Sequence, residues 1–177
     1  ISVTLSHHRG GVARPPSFAL AVDDGSVEIG DLTVRSGALT ARFNAPGESW
    51  GLTFEEDGRV VTRSIPRSIA HATGPDGECY VHEQLTLEPG ESVYGLGERF
   101  GPLVKNGQSV DIWNEDGGTC SDLAYKNVPF YMSSRGYGVF VDDPGRVSFE
   151  VASEVVSRGQ FAVPREVMRY FVNAGPR

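Results

Sequence analysis

The chain is organised around three segments: ESVYGLGERF at residues 91–100, WNEDGGT at 113–119 and YKNVPFYM at 125–132. The first indicates an apolar strand that ends at a pair of glycines, where the backbone is free to turn. The second belongs to a long polar loop that carries an indole and acidic side chains, and the third is a proline-led aromatic strand. Aromatic rings offer a sugar apolar contact and carboxylates accept hydrogen bonds from its hydroxyls, so this loop suits sugar binding.

Short apolar runs separated by turn residues fill the rest of the chain, among its 22 glycines and 11 prolines. This pattern predicts an all-β fold, an antiparallel β-sandwich formed by residues 1–177 as a single domain, because βαβ units would need helical segments that are not visible. Residues 64–77 are predicted to be a loop with an irregular strand near 68–71. Strands are predicted at residues 1–5, 18–22, 27–34, 39–43, 50–54, 59–63, 80–87, 92–96, 130–133, 138–141, 147–151, 160–163 and 167–172.

The charge and the cysteines restrict the partners and the compartment. The formal net charge is −7 and no basic cluster is present, so we expect no nucleic-acid partner. No apolar run approaches the roughly 20 residues that span a bilayer, so we expect no membrane insertion. Cys79 and Cys120 are too few for a disulfide framework or a four-ligand zinc site. We predict that both are free thiols in a reducing compartment, the cytoplasm.

The three segments resemble the N-terminal β-sandwich domain of glycoside hydrolase family 31. The resemblance rests on YGLGE at residues 94–98, WN-x-D at 113–116 and PFY at 129–131. Within the family the α-xylosidases are the most similar branch. The segments that match this branch are LVKNGQ at 103–108, GGT at 117–119 and AYKN at 124–127.

The resemblance implies a galactose-mutarotase-like domain that is truncated at its N-terminus, because Ile1 already lies in a predicted strand. It implies that the chain ends at the junction to a (β/α)8 catalytic barrel, and that its partners are this barrel and an α-xyloside or α-glucoside saccharide. The parent enzyme would be a retaining α-xylosidase, ahead of an α-glucosidase. Such enzymes use two carboxyls about 5 Å apart, both from the barrel. We therefore expect no catalytic residue, no metal and no cofactor in this chain, and no activity from the chain alone. The sequence leaves open whether the protein forms a homo-oligomer.

Asp116 is the predicted substrate-binding residue, and Trp113 and Asn114 are predicted to shape its loop. Composition alone favours a solvated turn at residues 114–118, because these residue types dominate turns. The resemblance favours binding, since in family 31 this loop reaches over the mouth of the barrel and its Asp binds substrate near the sugar. Asp116 matches that Asp, whereas the neighbouring Glu115 is predicted to be solvated.

Two further groups are interpreted as structural. Glu98 and Arg99 are expected to form an ion pair that pins the loop to the sandwich, because an arginine fork on a carboxylate is a common structural device. The alternative is that they shape the floor near an active site. Tyr125, Phe130 and Tyr131 could stack on sugars, but aromatic residues beside a strand proline are more often core, and we predict that all three are core.

Two functions from other classes remain as alternatives. A stand-alone carbohydrate-binding module predicts sugar affinity without a barrel and an exposed aromatic platform. A mutarotase-like epimerase predicts a histidine and a carboxylate that converge in one concave pocket. His82 and Glu83 are adjacent on a predicted strand, so they should point to opposite faces. The His7–His8 pair has no third ligand at a supporting spacing, so we expect an exposed strand end rather than a metal site.

Overall fold

The computed structural model describes residues 1–7, 25–116 and 123–175. Within these ranges there are fifteen strands and no helix, and no helix long and apolar enough to cross a membrane. The strand predicted at residues 18–22 and the turn at 117–119 lie outside the described residues. The strands are β1 Ser2–Ser6, β2 Val27–Ile29, β3 Thr33–Ser36, β4 Leu39–Phe43, β5 Leu52–Glu56, β6 Arg59–Ser64, β7 Ala70–Thr73, β8 Cys79–Thr86, β9 Val93–Gly95, β10 Gln108–Ile112, β11 Phe130–Ser133, β12 Tyr137–Val141, β13 Val147–Val151, β14 Arg158–Val163 and β15 Val167–Ala174.

The strands form two sheets. The smaller sheet has five strands in the order β1-β15-β12-β11-β9. The larger has ten: nine follow the order β10-β13-β14-β8-β6-β5-β4-β3-β2, and β7 pairs with β8 beside this path. Every pair of named strands is antiparallel. The predicted all-β, antiparallel fold is confirmed.

Large side chains from the two sheets meet in one core. Strand β13 alternates buried and half-buried residues, so Phe149 points inward, and its ring lies edge-on to Tyr131 of the opposite sheet at 6.2 Å. Phe161 and Tyr170 make a second contact between the sheets, with ring centroids 5.0 Å apart. Edge-to-face aromatic pairs of this kind stabilise a core beyond the area they bury.

Local turns explain two of the strand boundaries. Asp57 and Gly58 have φ values of 47° and 80°, as a tight two-residue hairpin requires, and they connect β5 to β6, which match the strands predicted at 50–54 and 59–63. The prediction of one strand over residues 27–34 is wrong. The Gly30 amide donates a hydrogen bond to the Thr33 carbonyl at 2.9 Å, and this turn divides the segment into β2 and β3.

Strand β10 was predicted to be part of the polar loop, and that prediction is wrong. Val110 and Ile112 are buried while Ser109 and Asp111 between and before them are exposed, which is the alternation of a half-buried strand. The alternation is visible in the sequence, but only two apolar residues carry it. Pairing with β13 supplies the hydrogen bonds that make this short segment a strand.

The three aromatic residues predicted to be core differ in how far they are buried. Tyr131 is fully buried and Phe130 is half-buried. Tyr125 is 66% exposed, so its assignment to the core is wrong. It lies before β11 rather than in it, and its ring is 6.0 Å from the Lys126 ammonium. Proximity to the strand proline therefore predicts burial only for residues within the strand itself.

Candidate functional site

The glycine pair places three successive residues in the left-handed region of φ. Gly95, Leu96 and Gly97 have φ values of 110°, 65° and 88°. The Leu96 side chain is fully buried and its amide donates to the Phe130 carbonyl at 2.8 Å. A Cβ on Gly97 would lie 2.3 Å from the Lys126 carbonyl oxygen and 2.7 Å from Cα of Asn127. Only glycine allows this close approach of two backbones.

Asn127 connects both sides of the loop through its side-chain amide. Its Nδ2 donates to the carbonyl oxygens of Trp113 at 2.8 Å and Ala124 at 2.5 Å. Its backbone amide donates to Oδ1 of Asn114 at 2.9 Å, and its own Oδ1 accepts a hydrogen bond from Arg99. Because Asn127 is buried, these bonds fix the start of the loop against the strand that closes it.

Trp113 and Asn114 line a shallow depression of about 380 Å³. Asn127 forms part of the same wall, and the Arg146 guanidinium lies 6.0 Å from the Trp113 ring. The other lining residues are Ile112, Pro129, Asp143, Pro144 and Gly145. The structure therefore brings two of the three predicted site residues together. A larger depression of about 450 Å³ beside Ile1 and β15 contains none of them.

Asp116 is exposed and lies outside the lining of the depression, further along the same loop. Glu115 is also exposed, and its backbone amide donates to the Ala124 carbonyl at 3.0 Å. The two chain segments thus run side by side up to Glu115. Asp116 is the next residue along the loop.

Sequence reasoning missed Asn127 and Asp143 as parts of this site. Asp143 accepts hydrogen bonds from Arg165 Nε at 2.6 Å and from the Gly145 amide at 2.7 Å, which fixes the turn on the far side of the depression. The AYKN segment contained Asn127, but a lone amide carries no signal for a loop anchor. Asp143 lies in a DDPG turn, where an aspartate is expected whatever its function.

Glu98 and Arg99 are bound to separate neighbours. The Glu98 carboxylate pairs with the Lys126 ammonium at 2.9 Å, while Arg99 donates to the Asp111 carbonyl at 3.0 Å and to Asn127. Both side chains therefore connect the glycine turn to other parts of the loop. Their partners are Lys126, Asp111 and Asn127, which differ from the predicted Glu98–Arg99 ion pair. Burial lowers the pKa of nearby Lys105, and the Arg99 charge lowers it further.

Exposed apolar side chains concentrate on the same part of the chain. Eight of the fourteen exposed large hydrophobic residues in the described ranges fall between residues 100 and 132. Exposed apolar side chains of this kind are available for contact with another domain. The eight are Phe100, Leu103, Val104, Trp113, Leu123, Tyr125, Val128 and Met132.

The histidines lie elsewhere in the fold. His82 is half-buried and Glu83 is fully buried in the core, so the prediction that they face opposite sides of β8 is confirmed. His7 follows β1 and is exposed, but tertiary folding brings it to His71 and Glu166, partners that sequence spacing could not reveal. Hydrogen bonds from Cys79 and His7 lower the pKa of Glu166.

The chain matches one family model and several known proteins. Residues 8–150 match the model described as the glycosyl hydrolase 31 N-terminal galactose mutarotase-like domain. An α-xylosidase of Emericella nidulans is 45% identical over 99% of this chain and 26% of its own length. An α-xylosidase of Lactiplantibacillus pentosus is 46% identical over 91% of this chain and 20% of its own length. The chain thus spans about a quarter or less of these relatives.

Solved structures show the same fold. A GH31 dextranase of Flavobacterium johnsoniae superposes with a TM-score of 0.74 at 26% identity, over 94% of this chain and 21% of that one. A GH31 α-xylosidase from a soil metagenome superposes with a TM-score of 0.69 at 17% identity, over 98% of this chain and 28% of that one.

Proposed function

Because the chain belongs to the glycosyl hydrolase 31 N-terminal galactose mutarotase-like domain family, we propose that it is the non-catalytic N-terminal domain of a retaining α-xylosidase. The identity of 45% to an α-xylosidase over 99% of the chain carries this proposal. An α-glucosidase is the less favoured parent, since the α-glucosidase of Bacillus thermoamyloliquefaciens is 27% identical over 70% of the chain. We also propose a cytoplasmic location, because two cysteines are too few for a disulfide framework. Cys79 is a free thiol, and Cys120 lies outside the described residues.

In this proposal, a catalytic barrel in the same polypeptide carries out the glycoside hydrolysis. A retaining glycosidase needs one carboxylate as nucleophile and a second carboxyl as general acid, about 5 Å apart. The exposed apolar side chains between residues 100 and 132 offer the surface on which the barrel would pack. The domain's own contribution is to hold the loop that begins at Trp113 against that surface.

Within this assembly Asp116 binds a substrate hydroxyl, and Trp113 and Asn114 set the position of its loop. The support is geometric: Asn127 and Glu115 anchor the loop to residue 124, and Asp116 follows directly in an exposed position. A carboxylate there can accept hydrogen bonds from a sugar, each worth about 1.5–3 kcal/mol when the acceptor is charged.

The first experiment compares hydrolysis of p-nitrophenyl α-xyloside and α-glucoside by this chain and by a longer polypeptide that continues through the barrel. We expect activity only from the longer polypeptide, with the xyloside preferred. Activity of the 177-residue chain alone would contradict the proposal, because its nucleophile would then lie within these residues.

The second experiment tests the loop with a matched pair of variants in the longer polypeptide. Asp116→Asn should lower kcat/KM about tenfold or more, since it removes a charged hydrogen-bond acceptor. Glu115→Gln changes the neighbouring exposed carboxylate and should leave kcat/KM within about twofold. Equal effects of the two substitutions would argue against a specific contact by Asp116.

A stand-alone carbohydrate-binding module is a second candidate, favoured by one observation. Trp113 and Tyr125 are 46% and 66% exposed, so aromatic rings are available for stacking on sugars. This function predicts that the chain alone binds xylose-containing saccharides and that Tyr125→Ala abolishes the binding. The accessory-domain proposal predicts no measurable sugar affinity for the chain without its barrel.

A further inference from the structure

Two histidines and a glutamate converge at one edge of the sandwich, away from the loop described above. His7 follows β1, His71 lies on β7 and Glu166 directly precedes β15, and one ligand atom of each lies within 4.8 Å of the others. His7 Nδ1 is 2.8 Å and His71 Nε2 is 3.2 Å from the same carboxylate oxygen, Oε2 of Glu166. The two imidazole rings stack in parallel with their centroids 3.5 Å apart.

Hydrogen bonds among the described residues leave one nitrogen of this cluster without a partner. His7 is hydrogen-bonded to Glu166, but Nε2 of His71 is buried and has no hydrogen-bond partner within residues 1–7, 25–116 and 123–175, despite its closeness to the carboxylate. A buried polar atom without a partner needs an explanation, and an ion bound at that atom is one. Two imidazoles and a carboxylate are a ligand set that zinc and similar divalent metals prefer.

We propose that His7, His71 and Glu166 form a binding site for a divalent transition-metal ion of the zinc type, with water completing the coordination. Around a tetrahedral ion with bonds of 2.0–2.1 Å, neighbouring ligand atoms lie about 3.3 Å apart. The His71–Glu166 distance of 3.2 Å already fits, whereas the His7–Glu166 distance of 2.8 Å must lengthen. His7 can retreat and tilt out of the stack, because half of its side chain is exposed.

The bound ion would join the two sheets. His7 and Glu166 adjoin β1 and β15 of the five-stranded sheet, whereas β7 pairs with β8 of the ten-stranded sheet. The Cys79 thiol at the start of β8 lies near Glu166 but outside the three-residue cluster, and serves as an orienting neighbour rather than a ligand. The site is therefore structural, and its expected consequence is a more stable sandwich.

The test is titration of the purified protein with ZnCl₂ by calorimetry, and with CoCl₂ followed by its visible absorption. We expect one ion per chain. His71→Gln and Glu166→Gln should each weaken binding by about a hundredfold or more, since even loss of a residue that only orients a ligand costs 10–100-fold. At a zinc concentration of about 100 times Kd, the Tm should rise by about 5–10 °C.

Two variants serve as controls. His82→Gln alters a histidine outside the cluster and should bind zinc as the unmodified protein does. Cys79→Ser keeps a hydrogen-bond donor and should bind within about threefold. The metal-free Tm of each variant shows that it folds. Absence of one-to-one zinc binding, an equal loss in His82→Gln, or abolished binding in Cys79→Ser would each overturn the assignment.

Discussion

Replacing Gly97 by alanine tests whether the glycine turn positions the loop. The added Cβ would meet backbone atoms only: the Lys126 carbonyl oxygen at 2.3 Å, Cα of Asn127 at 2.7 Å and the Val128 nitrogen at 2.8 Å. No side-chain rotation can relieve these contacts. The segment from 126 to 128 must therefore move away from the glycine turn by about 1 Å, to ordinary van der Waals separation.

The expected cost has two parts. A non-glycine residue at positive φ costs roughly 1–2 kcal/mol. Moving the segment also weakens the bonds from the Glu98 amide to Lys126 at 3.0 Å and from the Leu96 amide to Phe130 at 2.8 Å, each worth about 1 kcal/mol. We expect Gly97→Ala to lower the free energy of unfolding by about 3–4 kcal/mol.

Gly58→Ala is the matched control. Gly58 has a φ of 80°, close to the 88° of Gly97, but a Cβ there would have no heavy atom within 4 Å. Gly58→Ala should therefore lower the free energy of unfolding only by the cost of a positive φ, roughly 1–2 kcal/mol. Urea unfolding followed by circular dichroism measures both variants. Equal losses at the two positions would refute the view that close backbone approach, rather than positive φ alone, requires glycine at 97.

Three further substitutions probe the loop anchor and the core. Asn127→Ala should destabilise the protein by about 2–3 kcal/mol in urea unfolding, because the carbonyls of Trp113 and Ala124 lose their donor; a loss under about 0.5 kcal/mol would refute its role as an anchor. Phe161→Ala should cost about 3–5 kcal/mol, and Phe43→Ala, which is 40% exposed, markedly less; equal losses would contradict the assigned core. Burial raises the pKa of Glu83 above its ordinary 4.5, so the folded carboxyl keeps a proton that the unfolded chain has released. The free energy of unfolding of Glu83→Gln, measured by urea unfolding, should therefore rise relative to that of the unmodified protein as the pH increases above about 4.5. A difference between the two proteins that stays constant with pH would contradict this.

The sequence predicts most strands because their signals are local. The alternation in residues 147–151 and the Asp57–Gly58 turn each predict the element that forms. Tertiary contacts decide the rest. Tyr125 and Tyr131 are both aromatic residues close to Pro129, yet one is exposed and the other buried, because only Tyr131 lies in a strand of the smaller sheet.

The candidate site was predictable only in part for the same reason. Trp113 and Asn114 could be predicted as site residues because they lie in one short motif, and both line the same depression. Asn127 is brought to them by a parallel bridge between Asn114 and Ala124. Such a bridge leaves no mark in the local sequence. The meeting of His7 with Glu166, 159 positions away, is a stronger example.

The position of Glu83 argues against the mutarotase-like alternative. Glu83 occupies the inward-facing register of β8 between Val81 and Leu85, so its burial follows from strand alternation. Its carboxyl oxygens accept hydrogen bonds from Ser64 at 2.9 Å and Tyr170 at 3.2 Å inside the core, where no sugar can reach them. His82 faces the other side of the same strand. A ring-opening acid–base pair needs both groups on one substrate, so this strand cannot supply the pair, and the exposed loop beginning at Trp113 remains the better candidate for contact with sugar.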